Sequence, residues 1–386
     1  KEYALAVKAS FRIDFLAFEF RKDRIYKLPD ACPIVGINDN HTLGKANLGS
    51  SQATAVVGIH GFSHGFQGLF QFLIKTGNGF GTPEFAASSL RALVKQQKHE
   101  ILAVVTQPDR PKGRGHKLMM SAVKEYALAV NLPVLQPERV KDPAFMEEMK
   151  RLSPDLIVVA AFGQFLPKAL LDLPPFGCIN VHASLLPAYR GAAPIHYAIL
   201  KGEKKAGVTI MQMDTGMDTG AMLEKVSVPI GPEMTQGELH DELKEKGAAL
   251  LLQTIDDLSA GTVTAEPQEE TKATYASLIT RDMEHLDWTL SADTLHNQIR
   301  AFNPWPGTYT ILPDGKRLKV WKSHVLPGSA EQAQPGQILE ADSKGFHIAC
   351  GTGVLAVLEC QPEGKRAMAA QSFVNGQQIA VGEILS

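Results

Sequence analysis

Cysteine is scarce in this sequence. The four residues, Cys32, Cys178, Cys350 and Cys360, include no Cys-x-x-Cys pair. That spacing removes the common zinc frameworks and a disulfide scaffold, and it reads as buried thiols in a reducing compartment. A surplus of charge of either sign is also missing. Lys and Arg total 39 against 41 Asp and Glu, a net charge of -2. No bulk field therefore draws this chain to nucleic acid, and any such contact must come from a local basic patch. No apolar run reaches the ~20 residues of a membrane span. A secretory signal is excluded because the apolar pieces near Phe15 are broken by Glu19, Arg21, Lys22 and Asp23. What remains is a soluble, cytoplasmic protein. At 386 residues and 44% hydrophobic it has the length and composition for two or three globular domains.

Residues 1–79 differ in style from the rest, with aromatic, basic and Gly/His-rich pieces that show no sustained periodicity. The heptapeptide Lys-Glu-Tyr-Ala-Leu-Ala-Val stands at 1–7 and again at 124–130, but no longer repeat surrounds it, so a solenoid is excluded. From Gly81 the pattern becomes regular. Thr82-Pro83-Glu84 starts a helix that turns Phe85, Leu90 and Leu93 toward a core. Strands are predicted at Ile101–Thr106, Leu132–Leu135, Leu156–Phe162 and Val208–Met213, with helical patterns near 118–130 and 143–152. Strands alternating with helices imply a parallel-rich α/β sheet covered on both faces, and the apolar run 157–161 suits a central parallel strand. Thr235 with Glu238 forms a capping box that opens a helix to about Leu258. Residues 259–281 are polar and read as a linker. Short strand-like runs at 317–321, 336–340, 346–350 and 353–359, separated by turns, predict a small β-barrel.

The chemistry concentrates between Gly177 and Gly220. Asn180 and His182 stand two apart at a strand end, so their side chains share a face. A turn closed by Pro187 follows, at the edge where open parallel sheets bind ligands. Beyond the next strand lies Met213-Asp214-Thr215-Gly216-Met217-Asp218-Thr219-Gly220. Asn, His and Asp together suit acyl transfer, supplying an oxyanion donor, a proton shuttle and a charge that sets the imidazole state. Asp214 fits a solvated turn; Asp218 is a candidate charge partner for His182, although sequence alone does not bring the two together. No metal-ligand spacing is present.

Two further stretches carry motifs. Residues 107–117 set Arg110, Lys112, Arg114 and Lys117 against a single acid, Asp109. Such a loop is either a solvated surface or a phosphate contact. In the leader, Gly61-Phe62-Ser63-His64-Gly65 fits the nucleophile elbow of serine hydrolases, although the strands that such an elbow needs are not evident before it.

Several segments together resemble the methionyl-tRNA formyltransferase family. They are Gly81-Thr82-Pro83-Glu84-Phe85, the 107–115 loop, Asn180-Val181-His182 through Pro187, and Tyr189-Arg190-Gly191-Ala192-Ala193-Pro194-Ile195. Residues 207–214 and Arg300-Ala301-Phe302-Asn303-Pro304-Trp305-Pro306 complete the set. The resemblance runs from roughly Phe80 to the C-terminus. It implies a Rossmann-like formyltransferase domain at 80–261, a linker at 262–280 and an OB-fold-like β-barrel at 281–386 that contacts tRNA. It also implies transfer of a formyl group from 10-formyltetrahydrofolate to the α-amine of methionyl initiator tRNA, by a metal-free monomer. Under it, Asn180, His182 and Asp218 are catalytic, with Asp218 holding His182 charged or ordering a relay water. Phe162, Gly163, Gln164, Ser184, Leu185, Leu186 and Pro187 hold the folate, and Arg110, Lys112, Arg114 and Lys117 meet the tRNA.

The chain departs from the family at its first strand. The position directly before Gly81 is Thr76-Gly77-Asn78-Gly79-Phe80, a poor sequence for a buried central strand. The first strand is therefore expected to be disrupted, and residues 1–75 to be dispensable. Formyl transfer to a small amine, an amino-sugar nucleotide or glycinamide ribonucleotide, is the competing activity. An RNA-binding module with a dead catalytic domain and a serine hydrolase are the competing classes.

Overall fold

The computed structural model describes residues 83–386 except 113–116, 162–164, 330–331, 343–344 and 377–378; upstream it describes five short backbone stretches. The chain divides into two compact units, Lys1–Phe66 and Gln67–Ser386. In the first, Ile25–Lys27 pairs antiparallel with Thr54–Val56, and Val35–Ile37 with Leu43–Lys45. Ser63, the hydrolase candidate, lies outside the described residues.

The second unit opens on β1 (Leu69–Ile74), followed by α1 (Pro83–Gln96), β2 (Glu100–Thr106), α2 (Ala122–Ala129), β3 (Val134–Leu135), α3 (Pro143–Leu152) and β4 (Leu156–Ala160). Then come β5 (Cys178–His182), α4 (Pro194–Leu200), β6 (Lys205–Gln212), β7 (Met222–Pro229) and α5 (Gln236–Ala260). The strands form one seven-stranded sheet in the order β7-β6-β5-β4-β1-β2-β3. It is parallel from β5 to β3 and antiparallel at β6 and β7. From β1 the chain winds outward to β3 and returns to β4 on the other side of β1. The strands on either side of that reversal leave a crevice at their C-terminal ends.

The helices follow from local sequence. Ser121 caps α2 by accepting from Lys124 N at 3.1 Å. Thr235 and Glu238 form the expected capping box of α5. α1 buries Phe85, Leu90 and Leu93 against the sheet, and all five residues of β4 are buried, as a central parallel strand requires.

The first strand is a correction to the sequence-based expectation. It is not Thr76–Phe80 but Leu69–Ile74, inside the stretch assigned to the leader. It pairs in parallel with β4, from Leu156 beside Phe70 to Ala160 beside Ile74, and with β2 on its other edge. The run Leu-Phe-Gln-Phe-Leu-Ile has the composition that a central strand needs. Two glycines and an asparagine at 77–79 hid it by suggesting that nothing before Gly81 could pair.

The C-terminal part holds α6 (Ala292–Ala301), β8 (Thr308–Ile311), β9 (Arg317–Leu326), β10 (Ile338–Asp342), β11 (Gly345–Ala349), β12 (Val354–Pro362) and α7 (Ala370–Asn375). The strands form an antiparallel sheet in the order β8-β9-β12-β11-β10, with Met368–Ala369 added to β12. Leu286, Trp288, Leu295, Ile299, Phe346 and Phe373 form its core. The expected barrel is not closed by a strand pair between β8 and β10 among the described residues. The last residues lace the two edges instead. Ser386 exchanges both backbone bonds with Ile311, Leu385 N donates to Gly336 O at 2.9 Å, and Ile338 N donates to Glu383 O at 2.8 Å.

The domain of this sheet meets that of the seven-stranded sheet through α6. Arg300 Nη1 donates to Met234 O at 3.0 Å, and the His296 ring bridges Ser323 Oγ at 3.0 Å and Pro232 O at 3.1 Å. Beside them His196 on α4 is 4% exposed, its ring 6.2 Å from that of Phe302.

Two expectations follow. Deleting residues 1–66 should leave a chain that melts cooperatively, whereas deleting 1–75 removes a central strand and should abolish folding. Identical melting of the two truncations would contradict the strand assignment. The second concerns acid. Burial lowers the His196 pKa to about 4, against an opposing backbone hydrogen bond with Trp305. The unfolded chain takes up this proton below about pH 6.5, and the folded chain only below about 4. Between those values each pH unit favours the unfolded chain by about 1.4 kcal/mol. Stability from this group is thus complete above pH 6.5 and is lost on acidification. In His196→Gln the loss of unfolding free energy between pH 7 and pH 5 should shrink by about 2 kcal/mol, and an unchanged difference in urea titrations would contradict it.

Candidate active site

Strand β5 alternates between two cores. Ile179 and Val181 pack into the cluster beneath α1 and α5, while Cys178 faces the opposite cluster with Met149 and Val159. Asn180 and His182 continue the Cys178 face toward the C-terminal rim of the sheet. In register they lie beside Met211 and Thr209 of β6. His182 is buried, at 6% exposure. Its Nε2 lies 3.0 Å from Tyr189 O, and its Nδ1 lies 3.6 Å from Asp218 Oδ2. A carbonyl only accepts, so Nε2 carries the ring proton and donates it. Nδ1 is left as the ring atom that faces the carboxylate. Asn180 is half-buried, and its amide makes no hydrogen bond among the described residues.

Asp218 arrives from the loop after β6. Its φ of 54° is left-handed, a region that Asp tolerates better than most residues. Gly191 N donates to Asp218 Oδ2 at 2.8 Å. Asp214 behaves as the turn residue it was taken for, accepting from Gly216 N at 2.9 Å and Thr219 Oγ1 at 2.7 Å. Asp214 is thus held within its own turn, while Asp218 lies beside the His182 ring.

The 184–187 turn is fixed by Thr209, which is fully buried. Its hydroxyl donates to Ser184 O at 2.7 Å and accepts from Leu186 N at 3.1 Å. Ser184 spends its own hydroxyl on Ala188 O at 2.6 Å. Leu186 is buried against Met211 and Met222, so it supports the turn from below. Leu185 and Ser184 line a cavity of about 180 Å³ that reaches Tyr189, Glu203 and Lys205. A Cβ at Gly207 would stand 2.4 Å from Leu185 Cδ2, which explains glycine there. Pro187 O accepts from Thr274 N at 3.3 Å. Phe162, Gly163 and Gln164 lie outside the described residues. Immediately after them, Phe165, Leu166 and Pro167 face Arg139, Val140 and Lys141 across an open cleft of about 500 Å³.

Within the basic stretch, Arg110–Lys112 pairs antiparallel with Lys117–Met119, Arg110 beside Met119 and Lys112 beside Lys117. Arg114 lies outside the described residues. Asp109, the one acid in this stretch, turns away from the loop. It accepts from Lys124 Nζ at 2.5 Å and Gln136 Nε2 at 3.1 Å, and these bonds hold its carboxyl below the usual carboxylate range. Asp109 is therefore occupied at the hairpin base.

Residues 262–280 do more than link domains. Glu266 bridges Met222, and Tyr275–Ala276 pairs in parallel with Arg190–Gly191. Arg190, 1% exposed, binds Gln268 Oε1 at 3.0 Å and Glu270 at 2.9 Å. The segment is a strap along the site. Sequence reasoning missed it, together with the roles of Thr209, Tyr189 and Gly191, whose contributions come through a hydroxyl or backbone atoms rather than a reactive side chain.

Comparison with known proteins fits this geometry. Residues 78–255 match the family described as formyl transferase, and residues 278–378 match its C-terminal domain. The methionyl-tRNA formyltransferase of Clostridium novyi is 47% identical over 306 residues, spanning 79% of this chain and 98% of the relative. That of Symbiobacterium thermophilum is 51% identical over 303 residues, spanning 78% and 92%. Among solved structures, an N-formyltransferase from Helicobacter canadensis, in complex with folinic acid and dTDP-3-aminofucose, superposes with a TM-score of 0.53 at 21% identity. It covers 74% of this chain and 98% of that one. HypX from Aquifex aeolicus, in complex with tetrahydrofolic acid, gives 0.52 at 15% identity over 82% of this chain and 48% of its own length. At those identities the two structures speak for the fold alone.

Proposed function

The chain belongs to the methionyl-tRNA formyltransferase family, and on that footing we propose how its site moves a formyl group. The enzyme formylates methionyl initiator tRNA, using a folate-based donor; the small-amine alternative is not favoured. We take the donor to be 10-formyltetrahydrofolate. The observation that carries the mechanism is the meeting of Asn180, His182 and Asp218 at the rim of β5.

The methionyl amine attacks the formyl carbon, a C–N bond forms, and negative charge develops on the formyl oxygen. The Asn180 amide, with no other partner among the described residues, donates to that oxygen. His182 Nδ1 takes the proton that the amine loses. Asp218, 3.6 Å away, stabilises the imidazolium so formed, directly or through one water. When the bond to the donor nitrogen breaks, His182 returns the proton to it, and the ring ends as it began. No redox change occurs.

Further features support this reading for the two substrates. The 184–187 turn is held rigid by Thr209, and the cleft beside Phe165 combines an exposed aromatic ring with the cations Arg139 and Lys141. That pairing suits a flat aromatic ligand carrying carboxylates. With Asp109 paired to Lys124, the basic residues of this stretch, Arg110, Lys112, Arg114 and Lys117, are the ones we assign to the phosphates of the tRNA. Residues 281–386 make a second contact with the tRNA. The described cysteines are buried, and burial pushes the thiols of Cys178, Cys350 and Cys360 up to about 12. Unreactive thiols of this kind fit the reducing cytoplasm in which we place the enzyme.

Asn180→Ala and His182→Ala test this. Each should lower kcat for formylation of charged initiator tRNA by about 10²–10³-fold, with KM for the tRNA changed less than threefold. A variant of either residue with unchanged kcat would remove it from the mechanism.

A further inference from the structure

The strap residue Gln268 touches the catalytic loop in a way that the mechanism does not yet use. Its Nε2 donates to Asp218 O at 2.7 Å and to Gly220 O at 2.8 Å. Its Oε1 accepts from Arg190 Nε at 3.0 Å. Both amide protons and the amide oxygen are thereby engaged. The amide has one possible orientation, because two carbonyls can only accept and a guanidinium can only donate. Arg190 is itself clamped, buried to 1% exposure and paired with Glu270.

Three features make this contact matter for the position of the Asp218 carboxylate. Asp218 sits at a left-handed φ of 54°, a conformation that persists where the surroundings over-determine it. Gly220 is pressed against β6 so closely that a Cβ there would stand 1.8 Å from Gln212 O. Gly191, which supplies the backbone donor to the Asp218 carboxylate, has a φ of 112° and approaches Ala276 O so that a Cβ would stand 2.7 Å away. The strap thus holds Asp218 from two sides. Gln268 fixes its backbone carbonyl, and the Tyr275–Ala276 pairing fixes the Gly191 N–H that its side chain accepts.

We propose that Gln268 is a positioning residue for catalysis, setting the distance and direction of Asp218 toward His182 through the bonds to Asp218 O and Gly220 O. This rests on the role given to Asp218 above. The strap then links Gln268 to Asp218, 50 residues away, and to Arg190, 78 residues away, in one functional unit, Arg190–Gln268–Asp218–His182. Glutamate is the discriminating replacement. Gln268→Glu keeps the shape and the acceptor for Arg190 but turns both donors into acceptors facing carbonyls. Gln268→Met keeps the length without polarity, and serves if the glutamate variant folds poorly.

Both variants should lower kcat about tenfold to a hundredfold, the scale expected when a reacting group is displaced by an ångström or less. KM for the tRNA and for the folate donor should stay within twofold. The decisive readout is a double-mutant cycle with Asp218→Ala, measured on enzyme shown to be folded by circular dichroism. Because Gln268 acts through Asp218, Gln268→Glu should cost less than twofold in the Asp218→Ala background. Full additivity of the two losses would overturn the proposal, as would a Gln268 variant that melts earlier but keeps kcat per folded molecule. If Asp218→Ala itself leaves kcat unchanged, the role of Asp218 fails, and this proposal falls with it. If Asp218→Ala is impaired and Gln268→Glu is not, the present proposal alone fails.

Discussion

One hydrogen bond orders this site, that from His182 Nε2 to the carbonyl of Tyr189 at 3.0 Å. It decides which ring nitrogen is spent and which is available. Since a carbonyl cannot donate, Nε2 holds its proton and Nδ1 is turned toward Asp218. Much of the surrounding architecture serves that arrangement. Strand β5 sets the height of the ring, and Thr209 locks the turn that leads to Tyr189. Tyr189 N donates to Thr274 Oγ1 at 2.9 Å, which ties the acceptor carbonyl to the strap. The imidazole is thus oriented by backbone, and in the proposed mechanism the carboxylate is left to balance charge during proton transfer.

Helices α1, α2, α3 and α5 and most strands of the N-terminal sheet were legible because their signals are local. The Thr235–Glu238 capping box and the apolar run of β4 each declare an element without help from distant residues. Asn180 and His182 were legible for the same reason, since alternation on a strand fixes their common face. Two glycine-rich surroundings misled in opposite ways. Around Gly77 and Gly79 they concealed the strand at Leu69–Ile74, which precedes them. Around Gly216 and Gly220 they marked a loop correctly but could not say where it folds back. The β-barrel expectation found the antiparallel strands and missed how their edges are satisfied, because the lacing residues near Ser386 have no strand periodicity.

The strap is the clearest case of structure that composition hides. Residues 262–280 are polar, so they resemble a flexible connection. Their polarity is instead consumed in named bonds, Gln268 to two carbonyls, Glu270 to Arg190 and Thr274 to Tyr189. A polar segment next to a buried arginine and a rim of exposed carbonyls has partners that no window of sequence reveals. The same segment leads into the C-terminal domain, whose helix α6 grips residues 231–234. One stretch of chain thereby braces the loop that carries Asp218 and leads into the C-terminal domain, to which we assign the second tRNA contact.

The central claim is the division of labour on the His182 ring. It is tested most directly by two-bond 1H–15N correlation spectra of the enzyme with 15N-labelled histidine, assigned against His182→Ala, at a pH where the ring is neutral. The account predicts that the proton resides on Nε2 and that Nδ1 gives the shift of an unprotonated ring nitrogen. A neutral His182 ring with its proton on Nδ1 would contradict it.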